Sequence, residues 1–359
     1  MVATFSVPLG PAWSGVVLGT SICASLTRLH GVPVLPEVFL LIATGLLAVL
    51  AAGWLRHRNP GFRQPYMAPW GLTVMAWVAL GGAWTAVTGR WEWQLVACAT
   101  GLLPAWVVCL NQLRGFAGSP TFQWGLALVA PMVVATSGGQ LLAGGGLDGP
   151  ARTALLVAAT ASMVLSLVAA VPVFARVYLA ALRGRLSLPT HLAGTAWIPL
   201  GVIGQSTAAT QLLSASGPLR TAAAVYGTVM LGLGVVLALW AARHFWPTVA
   251  RWGTYSPAWW GSTFPVGTLS LGSHELAAAT GAMWLEWVSI GWLGLLLAHW
   301  GLCALRFLSR TSARRSSRRR RPGHVPPGSA SDPTATRGTP RPETPSAPRQ
   351  ASASAPATV

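Results

Sequence analysis

The chain has no lysine, so its 24 basic residues are all arginine, and only seven residues are acidic. Charged residues make up 9% of its 359 positions and hydrophobic residues 53%. A soluble domain carries about a quarter charged residues, so a soluble fold of this length is excluded. Cysteine is also sparse: Cys23, Cys98, Cys109 and Cys303 stand singly in apolar stretches. That spacing excludes a disulfide framework and a thiolate metal site, and leaves the thiols as small apolar packing groups. The apolar stretches lack the alternation of period two that a membrane β-barrel requires.

What is present is length. Apolar segments lie near residues 9 to 29, 36 to 55, 67 to 88, 92 to 113, 122 to 143, 153 to 181, 191 to 214, 221 to 242, 257 to 280 and 284 to 307. Each is close to the roughly 20 residues that cross a bilayer, and in hydrocarbon only a helix satisfies its own backbone. The expected fold is an all-α integral membrane protein with ten transmembrane helices. The first stretch has no basic region before it and no small-residue cleavage site after it, so it reads as a permanent helix.

Five prolines mark a repeat. Pro8, Pro69, Pro131, Pro199 and Pro265 stand 61, 62, 68 and 66 residues apart, about the length of two spanning helices and their loops. The unit is therefore a helical hairpin, and five of them predict a pseudo-five-fold arrangement around a central pore. Pro69, Pro131, Pro199 and Pro265 are the expected helix-kink positions, where an interrupted helix exposes backbone N–H groups.

Charge orients the hairpins. Arg56, Arg58, Arg63, Arg114, Arg176, Arg183, Arg185, Arg243 and Arg251 follow or flank the even-numbered helices, whereas the alternate loops hold only Arg28, Arg90, Arg152 and Arg220. By the positive-inside rule both termini are cytoplasmic, in a multi-pass protein of the plasma membrane. Glu37, Glu92, Asp148, Glu275 and Glu286 then fall on the outer side. Eleven arginines lie from Arg306 onward, in a stretch otherwise rich in Ser, Pro, Ala and Thr. Residues 1–308 are read as the transmembrane domain and 309–359 as a disordered basic cytoplasmic tail, whose arginines meet anionic lipid rather than nucleic acid. Tryptophans such as Trp54, Trp91, Trp93, Trp252, Trp259, Trp284 and Trp287 fall at span ends, as interfacial anchors do.

Polar side chains concentrate in the odd-numbered helices, which are expected to form an inner ring. Thr20, Ser21, Thr136, Ser137, Gln205, Ser206, Thr263 and Thr268 are the candidate pore-lining residues. The alternative for any of them is a bond back to its own helix or to a neighbour. A path of hydroxyls, amides and glycines without a charge at mid-depth passes a partly hydrated anion and holds it weakly, as conduction requires. Phe264 precedes Pro265 on the most polar of these helices. Its ring is either ordinary packing or an apolar plug that excludes water and blocks ions. His274 and Glu275, toward the outer end of the same helix, are either a wet helix terminus or a coupling pair for protons. No cofactor or metal is expected, and no cluster of titratable groups at one depth suggests an enzyme.

Four segments together resemble a known family, the tellurite-resistance/dicarboxylate transporters, which include slow-type anion channels, malate permeases and sulfite exporters. They are Pro11-Ala12-Trp13 with Gly19-Thr20, Ala130-Pro131-Met132-Val133-Val134-Ala135-Thr136-Ser137-Gly138, Trp197-Ile198-Pro199-Leu200-Gly201 with Gly204-Gln205, and Trp259-Trp260-Gly261-Ser262-Thr263-Phe264-Pro265-Val266-Gly267. The resemblance covers residues 8 to 307. It implies five hairpins around a pore, a homo-oligomer that is commonly a trimer with one pore per subunit, and Phe264 as the gate. The expected function is passage of small anions, oxyanions or carboxylates such as sulfite, malate, chloride and nitrate. The alternative is a proton-coupled C4-dicarboxylate carrier.

Overall fold

The computed structural model describes residues 10–57, 61–63, 67–116, 118–144, 146–214 and 217–319, with side chains as far as 309. Pro8 of the repeat and the tail from 320 onward lie outside the described residues. The chain divides into two compact units, Met1–Thr311 and Ser312–Val359. Among the described residues every regular element is helical. The α-helices are α1 Ser14–Leu29, α2 Leu35–His57, α3 Met67–Thr88, α4 Glu92–Leu113, α5 Leu126–Ala143, α6 Gly149–Leu182, α7 Ile198–Leu213, α8 Pro218–Ala250, α9 Thr263–Thr280 and α10 Met283–Arg319. They occupy the ten apolar stretches. The composition boundary at 308 falls inside α10, which runs on to Arg319.

Seven of these helices are long and apolar enough to cross a membrane: α2, α3, α4, α5 together with its lead-in from Phe122, α6, α8 and α10. The other three fall short for a physical reason: α1, α7 and α9 are rich in hydroxyls, amides and glycine, which lower their hydropathy. Each of the three begins in a 3-10 segment instead: Pro11–Trp13, Thr190–Trp197 and Pro257–Ser262 run directly into α1, α7 and α9, and Phe122–Gly125 does the same for α5. Local sequence explains two of these starts. Thr121 and Ser256 each accept a backbone N–H two residues on, which turns the chain into the first 3-10 turn.

The odd-numbered helices touch in a closed cycle: α1 with α3, α3 with α5, α5 with α7, α7 with α9 and α9 with α1. Glycine brings several of these seams close. A side chain at Gly71 would strike the α5 backbone at Ala127, one at Gly204 the α9 backbone at Thr268, and one at Gly267 the side chain of Ile22 on α1. In hydrocarbon such close backbone approach replaces the hydrophobic effect as the source of helix association. The even-numbered helices cover the outside. α2 lies against α1 and α3, α4 against α3 and α5, α6 against α5 and α7, and α8 against α7 and α9. α10 is tied to α9 by Ser270 and Ser289, whose Oγ atoms each donate to the other's carbonyl at 2.8 Å, and to α1 by Trp300 Nε1 donating to Thr20 Oγ1 at 2.9 Å. Burial follows this division: α1, α5, α7 and α9 are buried along most of their length, while α2, α6 and α8 bury only a narrow stripe.

Candidate functional site

A cavity of about 350 Å³ lies between the odd-numbered helices. All five contribute lining residues, among them Ile22 and Ser25 from α1, Val78 and Thr85 from α3, Val133 from α5, Gln205 from α7 and Leu271 from α9. Short loops make successive helices antiparallel, so the odd set runs in one direction and position along each helix reports depth. Phe264, the second residue of α9, lies nearest the end where these helices begin. Arg28, Leu29, Ala86, Gln140 and Glu275 lie toward the end where they finish. The Phe264 side chain is 5% exposed and borders the cavity rather than lipid.

Of the eight candidate pore residues, Thr136, Ser137 and Gln205 line this cavity. Gln205 is nearly buried, and its Oε1 has no partner among the described residues. Thr136 Oγ1 donates back to Met132 O at 3.1 Å and across to Gln205 O at 3.2 Å, which joins α5 to α7. The other five lie outside the lining, and four of them are hydrogen-bonded. Thr20 donates to Val16 O and accepts from Trp300. Ser206 accepts from Tyr226 on α8 at 2.9 Å. Thr263 donates to Trp260 O, and Thr268 donates to Pro265 O and lies 3.3 Å from Leu200 O. Ser21 Oγ is buried without a partner among the described residues.

The prolines occupy two settings. Pro131 sits inside α5. Pro69, Pro199 and Pro265 stand in the first turn of α3, α7 and α9, where a missing N–H breaks no α-helical bond and a fixed φ favours the helix start. At α7 and α9 the irregularity is thus the junction between 3-10 and α geometry.

The adjacent pair His274 and Glu275 faces two ways. Glu275 lines the cavity, whereas His274 Nδ1 lies 2.8 Å from Oε2 of Glu286 on α10. His30, just past the end of α1, completes this group. Its Nδ1 is 3.3 Å from Glu286 Oε1, its Nε2 is 3.0 Å from Ser289 Oγ, and its ring meets that of His274 edge to face. Burial holds His30 below its ordinary pKa. Glu286 opposes that shift and His274 adds to it.

Sequence reasoning missed Arg28, Thr85 and Gln94 in the lining. Gln94 belongs to α4, an even-numbered helix, and reaches in to donate to Ser137 O at 3.2 Å and Gln140 Oε1 at 2.8 Å. Arg28 was legible as a basic residue in the last turn of the first span, one turn from the outer surface. Nothing in the spacing marked Thr85.

Chemically the site offers hydroxyls, amides and aliphatic walls through its middle, with its two charged lining residues, Arg28 and Glu275, toward the end where the odd-numbered helices finish. A family model described as voltage-dependent anion channel matches residues 8–308. The chain belongs to this family. The match spans all ten helices up to residue 308 and every residue of the cavity, and the activity of the family is anion transport across a membrane. No curated protein matches the chain. In this member of the voltage-dependent anion channel family the odd-numbered helices enclose the site, with Gln94 of α4 reaching in, and all five even-numbered helices are long and apolar enough to cross a membrane.

Proposed function

We propose that the protein is a channel for small anions whose pathway runs between α1, α3, α5, α7 and α9 and is closed by Phe264. Candidate ions are sulfite, malate, chloride and nitrate, moving down their electrochemical gradient. The supporting observation is the position of the Phe264 ring at one end of a cavity whose middle carries no charge. An apolar ring there keeps water out, and without water an ion does not pass. Uncharged donors beyond it provide weak sites that an anion can leave.

In this reading ten segments cross the bilayer as five hairpins with pseudo-five-fold symmetry, which the closed cycle of inner helices supports. The three short helices reach across with their 3-10 lead-ins. Eight 3-10 and 16 α residues at α7, or six and 18 at α9, rise roughly 40 Å, against a hydrocarbon core of about 30 Å. Both termini are cytoplasmic, Phe264 lies at the inner end, and the membrane is the plasma membrane. A trimer with one pathway per subunit is the assembly that the family resemblance implies.

Phe264→Ala tests the gate. In planar bilayers its anion conductance should exceed wild type by about tenfold or more, which corresponds to removing some 1.4 kcal/mol from the barrier. An unchanged conductance in a folded protein removes the assignment. Substituting chloride, nitrate, sulfite and malate in the same recordings ranks the ions.

A second reading, a proton-coupled C4-dicarboxylate carrier, draws on Glu275 in the cavity wall and His274 in contact with Glu286. Reversal potentials in liposomes that follow the pH gradient favour the carrier, and potentials that follow the anion gradient alone favour the channel.

A further inference from the structure

His299 on α10 is fully buried and lies outside the cavity lining. Its Nδ1 stands 3.2 Å from the carbonyl oxygen of Ser262. A carbonyl only accepts, so Nδ1 carries the proton and Nε2 is left as a bare acceptor. Nε2 has no partner among the described residues. Three aromatic rings enclose the imidazole, with centroids at 4.8 Å for Trp197, 5.1 Å for Phe245 and 5.1 Å for Trp246. An apolar residue would fill such a box without leaving a polar atom unsatisfied, so the one bond the imidazole makes is the reason to look for a role.

That bond falls at a particular place. Ser262 ends the 3-10 segment Pro257–Ser262, and Phe264 is two residues further on. Ser262 is the N-cap of α9, so its carbonyl accepts the first α-helical bond from the N–H of Val266, while Pro265 offers no competing 3-10 donor and the imidazole is a second donor on the same oxygen. The same register recurs in the third hairpin, where Ser166 Oγ on α6 donates to Leu128 O at 2.7 Å, three residues before Pro131. In both cases a side chain of a covering helix donates to the carbonyl three residues ahead of a repeat proline.

We propose that His299 is a positioning residue for the Phe264 gate. Its Nδ1–H fixes the Ser262 carbonyl, sets the junction from which α9 starts, and so holds the Phe264 ring at the inner end of the cavity. This rests on the gate assignment above, and the experiment separates the two. Anion conductance is recorded in planar bilayers for the full chain as wild type, Phe264→Ala, His299→Phe, His299→Asn and the Phe264→Ala/His299→Phe double variant. Phenylalanine keeps the ring and removes the donor, whereas asparagine keeps a donor near the Nδ1 position.

His299→Phe should raise basal conductance roughly threefold to tenfold, the shift that loss of one net hydrogen bond supports. His299→Asn should stay near wild type, and in the Phe264→Ala background His299→Phe should add nothing, because the ring it positions is gone. A purely structural role predicts less protein and less current in both backgrounds, and that result overturns the proposal. So does an equal proportional rise in both backgrounds, or wild-type conductance in His299→Phe beside a raised Phe264→Ala. An unchanged Phe264→Ala removes the gate and this proposal together. If His299→Phe does not reach the membrane, His299→Leu replaces it with the same expectations.

Discussion

A single methyl group distinguishes the two kinds of glycine in this protein. At Gly204 an added Cβ would overlap the α9 backbone at Thr268 and Leu269, whereas at Gly232 on α8 it would meet nothing within 4 Å. Gly204→Ala should therefore force α7 and α9 apart and cost about 1–3 kcal/mol, as overpacking of a close seam does. Gly232→Ala relieves a helix-interior glycine on the exposed face of α8 and should gain about 0.5–1 kcal/mol. The four native thiols are buried, so a thiol-reactive fluorophore reports unfolding of the detergent-solubilised protein without added probes. The midpoint should fall for Gly204→Ala and hold or rise for Gly232→Ala. Equal midpoints would mean that the α7 and α9 seam is looser than its backbone contact implies. Both glycines look alike in the sequence, since each sits within an apolar stretch, and only the neighbour across the seam tells them apart.

At the level of elements, the group of His30, His274 and Glu286 ties the C-terminal ends of α1 and α9 to the start of α10 at the point where the inner cycle closes. Burial lowers the His30 pKa from its ordinary 6.5 and the neighbouring His274 lowers it further, with Glu286 working the other way. The unfolded chain then binds more protons than the folded one between the lowered value and 6.5. The resulting stability is complete above 6.5 and is lost as pH falls through the folded value. The unfolding midpoint should drop between neutral pH and about pH 5, and His30→Gln should flatten that slope. A slope identical in wild type and His30→Gln assigns the pH dependence elsewhere. How much of this was legible differs by feature. Helix positions were, because a long apolar run whose few acidic or basic side chains lie mostly near its ends reports its own boundaries. The partner of a hydroxyl or imidazole was not. Thr20 and Ser206 turn to covering helices, Gln94 reaches inward from one, and His274 bonds Glu286 rather than its neighbour Glu275. Rotation about a helix axis decides each of these, and hydroxyls scattered over every face of a helix do not reveal it.

For the whole molecule, arginine sets the direction of the pathway. Arg114, Arg183 and Arg251 cap the C-terminal ends of α4, α6 and α8, and Arg56 lies in the last turn of α2. A cation at a helix C-terminus is favourable there whatever the orientation of the protein, and gathering four of them at one end also supports, by the positive-inside rule, the cytoplasmic placement proposed for that end. One residue type thus serves both helix termination and topology. In the proposed orientation the cavity mouth bearing Arg28 and Glu275 faces outward, and Phe264 faces the cell interior. Two single-cysteine additions test this. Ser119 and Asp148 are both exposed, one following α4 and the other preceding α6. Because the native thiols are buried, a membrane-impermeant maleimide applied to intact cells should label Asp148→Cys and leave Ser119→Cys unlabelled until the membrane is opened. The reverse pattern would invert the molecule, placing the Phe264 ring at the outer face and turning the charged mouth toward the cytoplasm. Labelling of both from outside would break the pairing of α5 with α4 and α6 as antiparallel neighbours, and with it the shared direction of the inner helices on which the single pathway depends.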